Sequence, residues 1–283
     1  MNNKKGCILL LAACTVLILA CGVGVVRGSG KVVTETREVS DFDRVEVHGG
    51  GDLYLVQDES ESLEIEAEDN IMPYLTSRVV NHTLILEYDD STRRSFITTR
   101  QVKYYLTMQD IHGLEISGGG DIDAPEIITT DLETDTSGGG NLKIDTLKAD
   151  EVNMNTSGGG KMEFDLLEID TMDFQISGGG DLFIDEMHGE TLDVQCSGGS
   201  DVRILEGKVR DQRIDMSGGG KYNAAGLQSE TVNAELSGGS DLTVWVEQTL
   251  DIDASGGGNI IYYGDPTINS SISGGGDIRQ RDR

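Results

Sequence analysis

Nine serines open a recurring Ser-Gly-Gly motif, and counting from each as position 1, position 5 reads Asp121, Asn141, Lys161, Asp181, Asp201, Lys221, Asp241, Asn259 and Asp277. Carboxylates in register are the donor type a hard cation such as calcium uses. The calcium-binding repeat Gly-Gly-x-Gly-x-Asp recurs with a nonapeptide period, and neither its spacing nor its period fits here. Lys161 and Lys221 also break the column and sit beside carboxylates they neutralise. Asp181 with Asp201 is the calcium locus that remains; charge compensation between neighbours is the plainer reading of the column, and no other cofactor or metal is expected.

Position 9 places Trp245 and Tyr263 one repeat apart, a pair that could stack on a sugar ring or simply pack a corner. Phe183 and Arg203 at position 7 predict a surface cation–π contact. Arg203, Arg210 and Arg213, near Asp201 and Asp211, are the one basic and acidic grouping that a polysaccharide lyase or hydrolase on this scaffold would use. Cys196 falls on an inward-facing position and reads as a small core residue rather than a nucleophile. His48, His82, His112 and His188 lack metal-ligand spacing. No catalytic residue is assigned and an enzyme is not expected.

What must position these residues is the repeat itself. Ser117, Ser137, Ser157, Ser177, Ser197, Ser217 and Ser237 are 20 residues apart, and Ser255 and Ser273 follow at 18. A fixed period of this length marks a solenoid. Positions 6 and 8 are apolar (Leu182 and Ile184, for example), and so are 16, 18 and 20 (Met172, Phe174 and Ile176), with polar residues between them. That is period-2 alternation with one face buried. Position 11 adds Leu147, Leu167 and Met187 as inward corner residues. The pattern predicts an all-β, single-stranded parallel β-helix with about 20 residues per coil, right-handed by the preference of parallel connections. Each coil is expected to hold two short strands, near positions 5–9 and 15–20. With about ten coils at roughly 4.8 Å each, the rod is about 45–50 Å long. The glycine corners supply positive φ and close backbone approach.

The expected organisation is a signal at 1–20, a lipidated linker at 21–30, an atypical N-terminal part of the solenoid at 31–112 and the regular repeats at 113–283. The atypical part holds one early corner, His48-Gly49-Gly50-Gly51, and a short helical turn near Asn70 to Ser77. Its stretches Gly28 to Arg37, Val39 to Val47 and Ser62-Leu63-Glu64-Ile65-Glu66-Ala67-Glu68-Asp69-Asn70-Ile71-Met72-Pro73-Tyr74, together with the glycine corners, resemble the bacterial extracytoplasmic family described as "putative auto-transporter adhesin, head GIN domain". That resemblance implies a β-helical lipoprotein of the cell envelope and brings no catalytic motif with it.

Lys4 and Lys5 followed by the apolar run Cys7–Ala20 read as a secretory signal, too short to span a membrane comfortably. The following cysteine, Cys21, is the preferred lipidation site; Cys14, after Leu11-Ala12-Ala13, matches the lipobox more closely and is the alternative. Three of the four cysteines lie in this segment, so Cys196 has no internal disulfide partner. The net charge of -28 disfavours nucleic acid and anionic lipid as partners. The expected partners are the membrane, through the lipid anchor, and an envelope glycan or protein. The expected function is a non-enzymatic envelope or surface lipoprotein that serves as a scaffold for binding or adhesion. A carbohydrate-active β-helix enzyme is the alternative, and a module that self-associates through its sheet edges a third reading.

Overall fold

A computed structural model describes residues 24–89, 95–99 and 102–282. Its central part is six long strands, Leu142–Gly158, Lys161–Gly178, Asp181–Gly198, Asp201–Gly218, Lys221–Gly238 and Asp241–Gly256. Each is one coil of a β-solenoid. Each pairs in parallel with the next, and serine stacks on serine (Ser157, Ser177, Ser197, Ser217, Ser237, Ser255). The 20-residue period is therefore a spatial register.

A coil is not the two separate strands expected. It is one continuous strand whose ladder breaks twice. Between Lys161–Gly178 and Asp181–Gly198 the pairs run over 161–164, 166–169 and 171–178, skipping Asp165 and Asp170. The skipped residues are exposed. They are corners, so a coil has three paired runs rather than two. The physical reason is parity. Inward positions run 6, 8, then 11, 13, then 16, 18, 20, as in Met162, Phe164, Leu167, Ile169, Met172, Phe174 and Ile176, all buried. Each jump of three puts two neighbouring residues outside, which an extended chain does only by turning.

The glycine corner separates one coil from the next. Its first glycine has positive φ in every regular repeat, 129° at Gly178 for example. A Cβ there would meet the carbonyl oxygen of Gly158 at 2.5 Å. The third position is filled by buried Ser200 and Ser240, whose hydroxyls donate to the Gly178 and Gly218 carbonyls of the preceding coil.

The core is one apolar column along the axis. Phe164, Phe174 and Tyr222 are its largest fully buried members in the repeats. Tyr222 donates its hydroxyl to Gln212 Oε1 at 2.6 Å, and burial pushes its pKa up. Toward the C-terminus two residues per coil are lost through register shifts between Ala224 and Gln228 and between Ser229 and Thr231. The last coil (Thr267–Gly274 and Asp277–Gln280) carries Ser270 over Ile252 and Gln280 over Tyr262. Polar residues at inward positions finish the core, as terminal repeats of a solenoid require.

At the N-terminal end Arg44–His48 continues the parallel stack under Gly113–Gly118, with His48 in register with Ser117. Beyond it the pairing changes. Ser62–Glu68 runs antiparallel to both Val32–Arg37 and Lys103–Met108. Leu75–Val80 and Thr83–Tyr88 form an antiparallel hairpin turning at Asn81 and His82, both with positive φ. A single 3-10 turn, Met72–Tyr74, lies where a helical turn was expected. Among the described residues no helix is long and apolar enough to cross a membrane.

Candidate binding groove

Stacked coils turn every outward position into a column. Position 19 reads Glu115, Asp135, Asn155, Gln175, Gln195 and Asp215; position 1 is serine throughout. Between these two columns lies inward position 20. The result is a groove of about 390 Å³ along the axis, walled by position 19 on one side and Ser137, Ser157, Ser177, Ser197 and Ser217 on the other. Its floor is Thr136, Thr156, Ile176 and Cys196, each buried. Thr136 and Thr156 satisfy each other across coils, Oγ1 to Oγ1 at 2.9 Å. The serine column meets the early corner through His48, whose Nδ1 lies 2.8 Å from Ser117 Oγ and whose Nε2 lies 3.1 Å from Glu46.

The amide wall is held from the side. Gln175 Nε2 donates to Asp173 Oδ1 at 3.2 Å, and Gln195 and Asp193 stand in register with this pair in the next coil. Burial and the neighbouring Asp173 push the Asp193 carboxyl up. Glu115, at one end of the groove, is likewise pushed up, chiefly by burial and then by Glu46. Cys196 in the floor is as expected a core residue, 5% exposed. Burial and then Asp215 push its thiol up to about 12, far from nucleophilic.

Asp181 and Asp201 do stand in neighbouring coils, and each carboxylate serves the backbone. Asp181 Oδ1 accepts the Asp201 N–H, and Asp201 Oδ1 the Lys221 N–H, both at 3.1 Å. The same bond recurs from Asn141 to Asp121, Lys161 to Asn141 and Asn259 to Asp241. Position 5 is thus an Asx ladder that pins each coil to the next just after the glycine corner. Where lysine interrupts it, the following N–H turns to a glycine carbonyl, as Asp181 does to Gly160. Among the described residues no group of three or more His, Cys, Asp or Glu is placed to hold a metal ion.

Trp245 and Tyr263 are direct cross-strand partners, both half-buried. Arg203 lies over the Phe183 ring, 5.8 Å from its centroid, as expected. Lys161 approaches the same ring at 5.5 Å. The arginines do not converge. Arg203 is on the first paired run, Arg210 at a corner bound to Asp211 and Glu190, and Arg213 on the third run, 3.9 Å from Asp193. His82, His112 and His188 bond to Asp41, Asp131 and Glu186, apart from one another. Cys14 and Cys21 lie outside the described residues.

Two surface features are marked by no motif. The groove was visible as the polar composition of position 19. The exposed, stacked pair Tyr54 and Tyr105, centroids 5.2 Å apart, was not, because its partners are 51 residues apart and outside the repeat.

The model of the family described as "Putative auto-transporter adhesin, head GIN domain" matches residues 41–182 and 165–266. The chain belongs to this family. No curated protein matches it. Among solved structures it is similar to one described as a putative lipid binding protein from Parabacteroides distasonis, with TM-score 0.71 and 21% identity over 91% of this chain and 99% of that one. It is also similar to putative adhesins from Parabacteroides merdae (TM-score 0.69, 19% identity, 91% and 99% covered) and Bacteroides fragilis (0.55, 23%, 90% and 100%). At these identities the likeness shows a shared fold.

Proposed function

We propose that this member of the adhesin-like family is a non-enzymatic lipoprotein of the cell envelope. It is anchored through Cys21, or Cys14 in its place, and presents its β-solenoid as a rigid scaffold for binding. The observation that carries this is the registered groove. Six coils align amide, carboxylate and hydroxyl side chains along one line, which suits contact with an extended partner. The distribution of charge agrees. The arginines a lyase would gather are spread over separate runs and engaged by Glu190, Asp211, Asp193 and Phe183. Fold alone does not assign function, so the proposal rests on the surface. The N-terminal signal and the family's adhesin-like character support an extracytoplasmic location.

The test is retention on isolated bacterial envelopes. Metabolic labelling with a clickable fatty acid should mark the protein and fail on Cys21→Ala, or on Cys14→Ala if that is the acceptor. The purified protein should bind envelope fractions saturably. Absence of saturable binding, or robust polysaccharide cleavage lost on Arg203→Ala, overturns the reading.

A further inference from the structure

We propose that the groove binds an uncharged, extended glycan lying along the rod axis. This deepens the scaffold reading above and rests on it. Both walls repeat at each coil, about 4.8 Å apart, the length scale of one pyranose unit in an extended chain. Each successive sugar would therefore meet the same pair of groups.

The chemistry of the walls selects the ligand. Over the three central coils the groove is Asn155, Gln175 and Gln195 facing Ser157, Ser177 and Ser197, all uncharged. Amides and hydroxyls both donate and accept, as sugar hydroxyls do. The bond from Gln175 to Asp173 fixes that amide and leaves its second N–H and its oxygen for a ligand. Groups already oriented lose less freedom when they bind. Buried Ile176 and Cys196 form an apolar floor between the walls for the C–H face of a ring.

Charge excludes the rivals. Glu115 and Asp135 at one end and Asp215 at the other repel an anionic polymer. A cationic peptide would find carboxylates in the groove lining only at those ends and amides in between. No aromatic ring lines the groove, so affinity comes from hydrogen bonds repeated along the chain, and length decides it.

Calorimetric titration of the purified protein in a sugar-free detergent tests this. The probes are β-linked glucose and N-acetylglucosamine oligomers of two to six units, with hexalysine as the charged comparison. Affinity is expected to rise at least about tenfold from two units to six for one oligomer series. Gln175→Ala/Gln195→Ala, both at exposed positions, should lose about tenfold or more with an unchanged melting temperature. Lys148→Ala, outside the groove, should bind as the parent does. No binding of any oligomer at about 10 mM, glycan binding indifferent to the double substitution, or hexalysine binding abolished by it overturns the inference. Envelope binding that survives the double substitution overturns the groove assignment alone and leaves the scaffold reading standing. Loss of envelope binding by the parent protein overturns both.

Discussion

Two adjacent glycines of one corner should respond to alanine in opposite directions. Gly178 has φ 129°, and its added Cβ would lie 2.5 Å from the Gly158 carbonyl oxygen. That oxygen already accepts the Gly179 N–H at 2.9 Å, one of the bonds holding coil to coil. The backbone strain costs about 1–3 kcal/mol, and weakening the bond about 0.5–1.5 kcal/mol more. Gly178→Ala should thus destabilise by about 1.5–4.5 kcal/mol. Gly179 has no heavy atom within 4 Å of a built Cβ and lies outside the left-handed region. Gly179→Ala should be neutral or stabilise by about 0.4–1 kcal/mol through the unfolded chain. Urea unfolding followed by far-ultraviolet circular dichroism reads both. Solenoids unfold in parts, so transition midpoints are compared rather than extrapolated free energies. Equal losses at the two sites would refute the corner geometry, in which the first glycine of the motif is dictated by its backbone and the second is not.

Three further outcomes follow from buried and half-buried groups. Tyr222→Phe leaves Gln212 without its hydroxyl partner in the core, which should cost about 1–3 kcal/mol, while Tyr222→Phe/Gln212→Leu recovers part of the loss; thermal melts of the two variants and the parent check this. Glu115 has its pKa raised in the fold by burial and by Glu46, so the folded state holds this proton more tightly than the unfolded chain does. Its charged form therefore destabilises at neutral pH, and the penalty disappears as pH falls through the raised value. Glu115→Gln should melt higher than the parent at pH 7, with the gap closing under acid; a constant gap contradicts the assignment. Cys196 should resist iodoacetamide in the native protein and react on unfolding, since burial and Asp215 raise its thiol pKa to about 12; peptide mass spectrometry after native labelling is the readout.

The stack was legible because one chain writes the same coil many times. Ser157, Ser177 and Ser197 recur at 20 residues in the sequence and at one ladder step in space. Inward positions, Cys196 in the core and the Phe183–Arg203 contact followed from that register alone. The third corner was written too, in the jump from Ile184 to Met187, where alternation skips a beat. Reading Met187 as a corner residue missed that the corner lies just before it, at Asp185. The position-5 carboxylates suggested a cation because sequence shows which residues stack but not what their oxygens face. A backbone N–H one coil on is invisible to a pattern. The closing strands around Ser62–Glu68 were least legible, since antiparallel partners there are set by long-range packing with no period to reveal them.

The most direct test of the stacked-coil claim is a set of distances along the serine column. Spin labels carried on ketone-bearing residues at Ser117 paired with Ser197, Ser237 or Ser273 span four, six and eight coils. Stacked coils give separations of about 19, 29 and 38 Å, rising by equal steps. Distances that fail to grow in proportion to coil number, or that fold back at the farther pairs, would contradict the stacking.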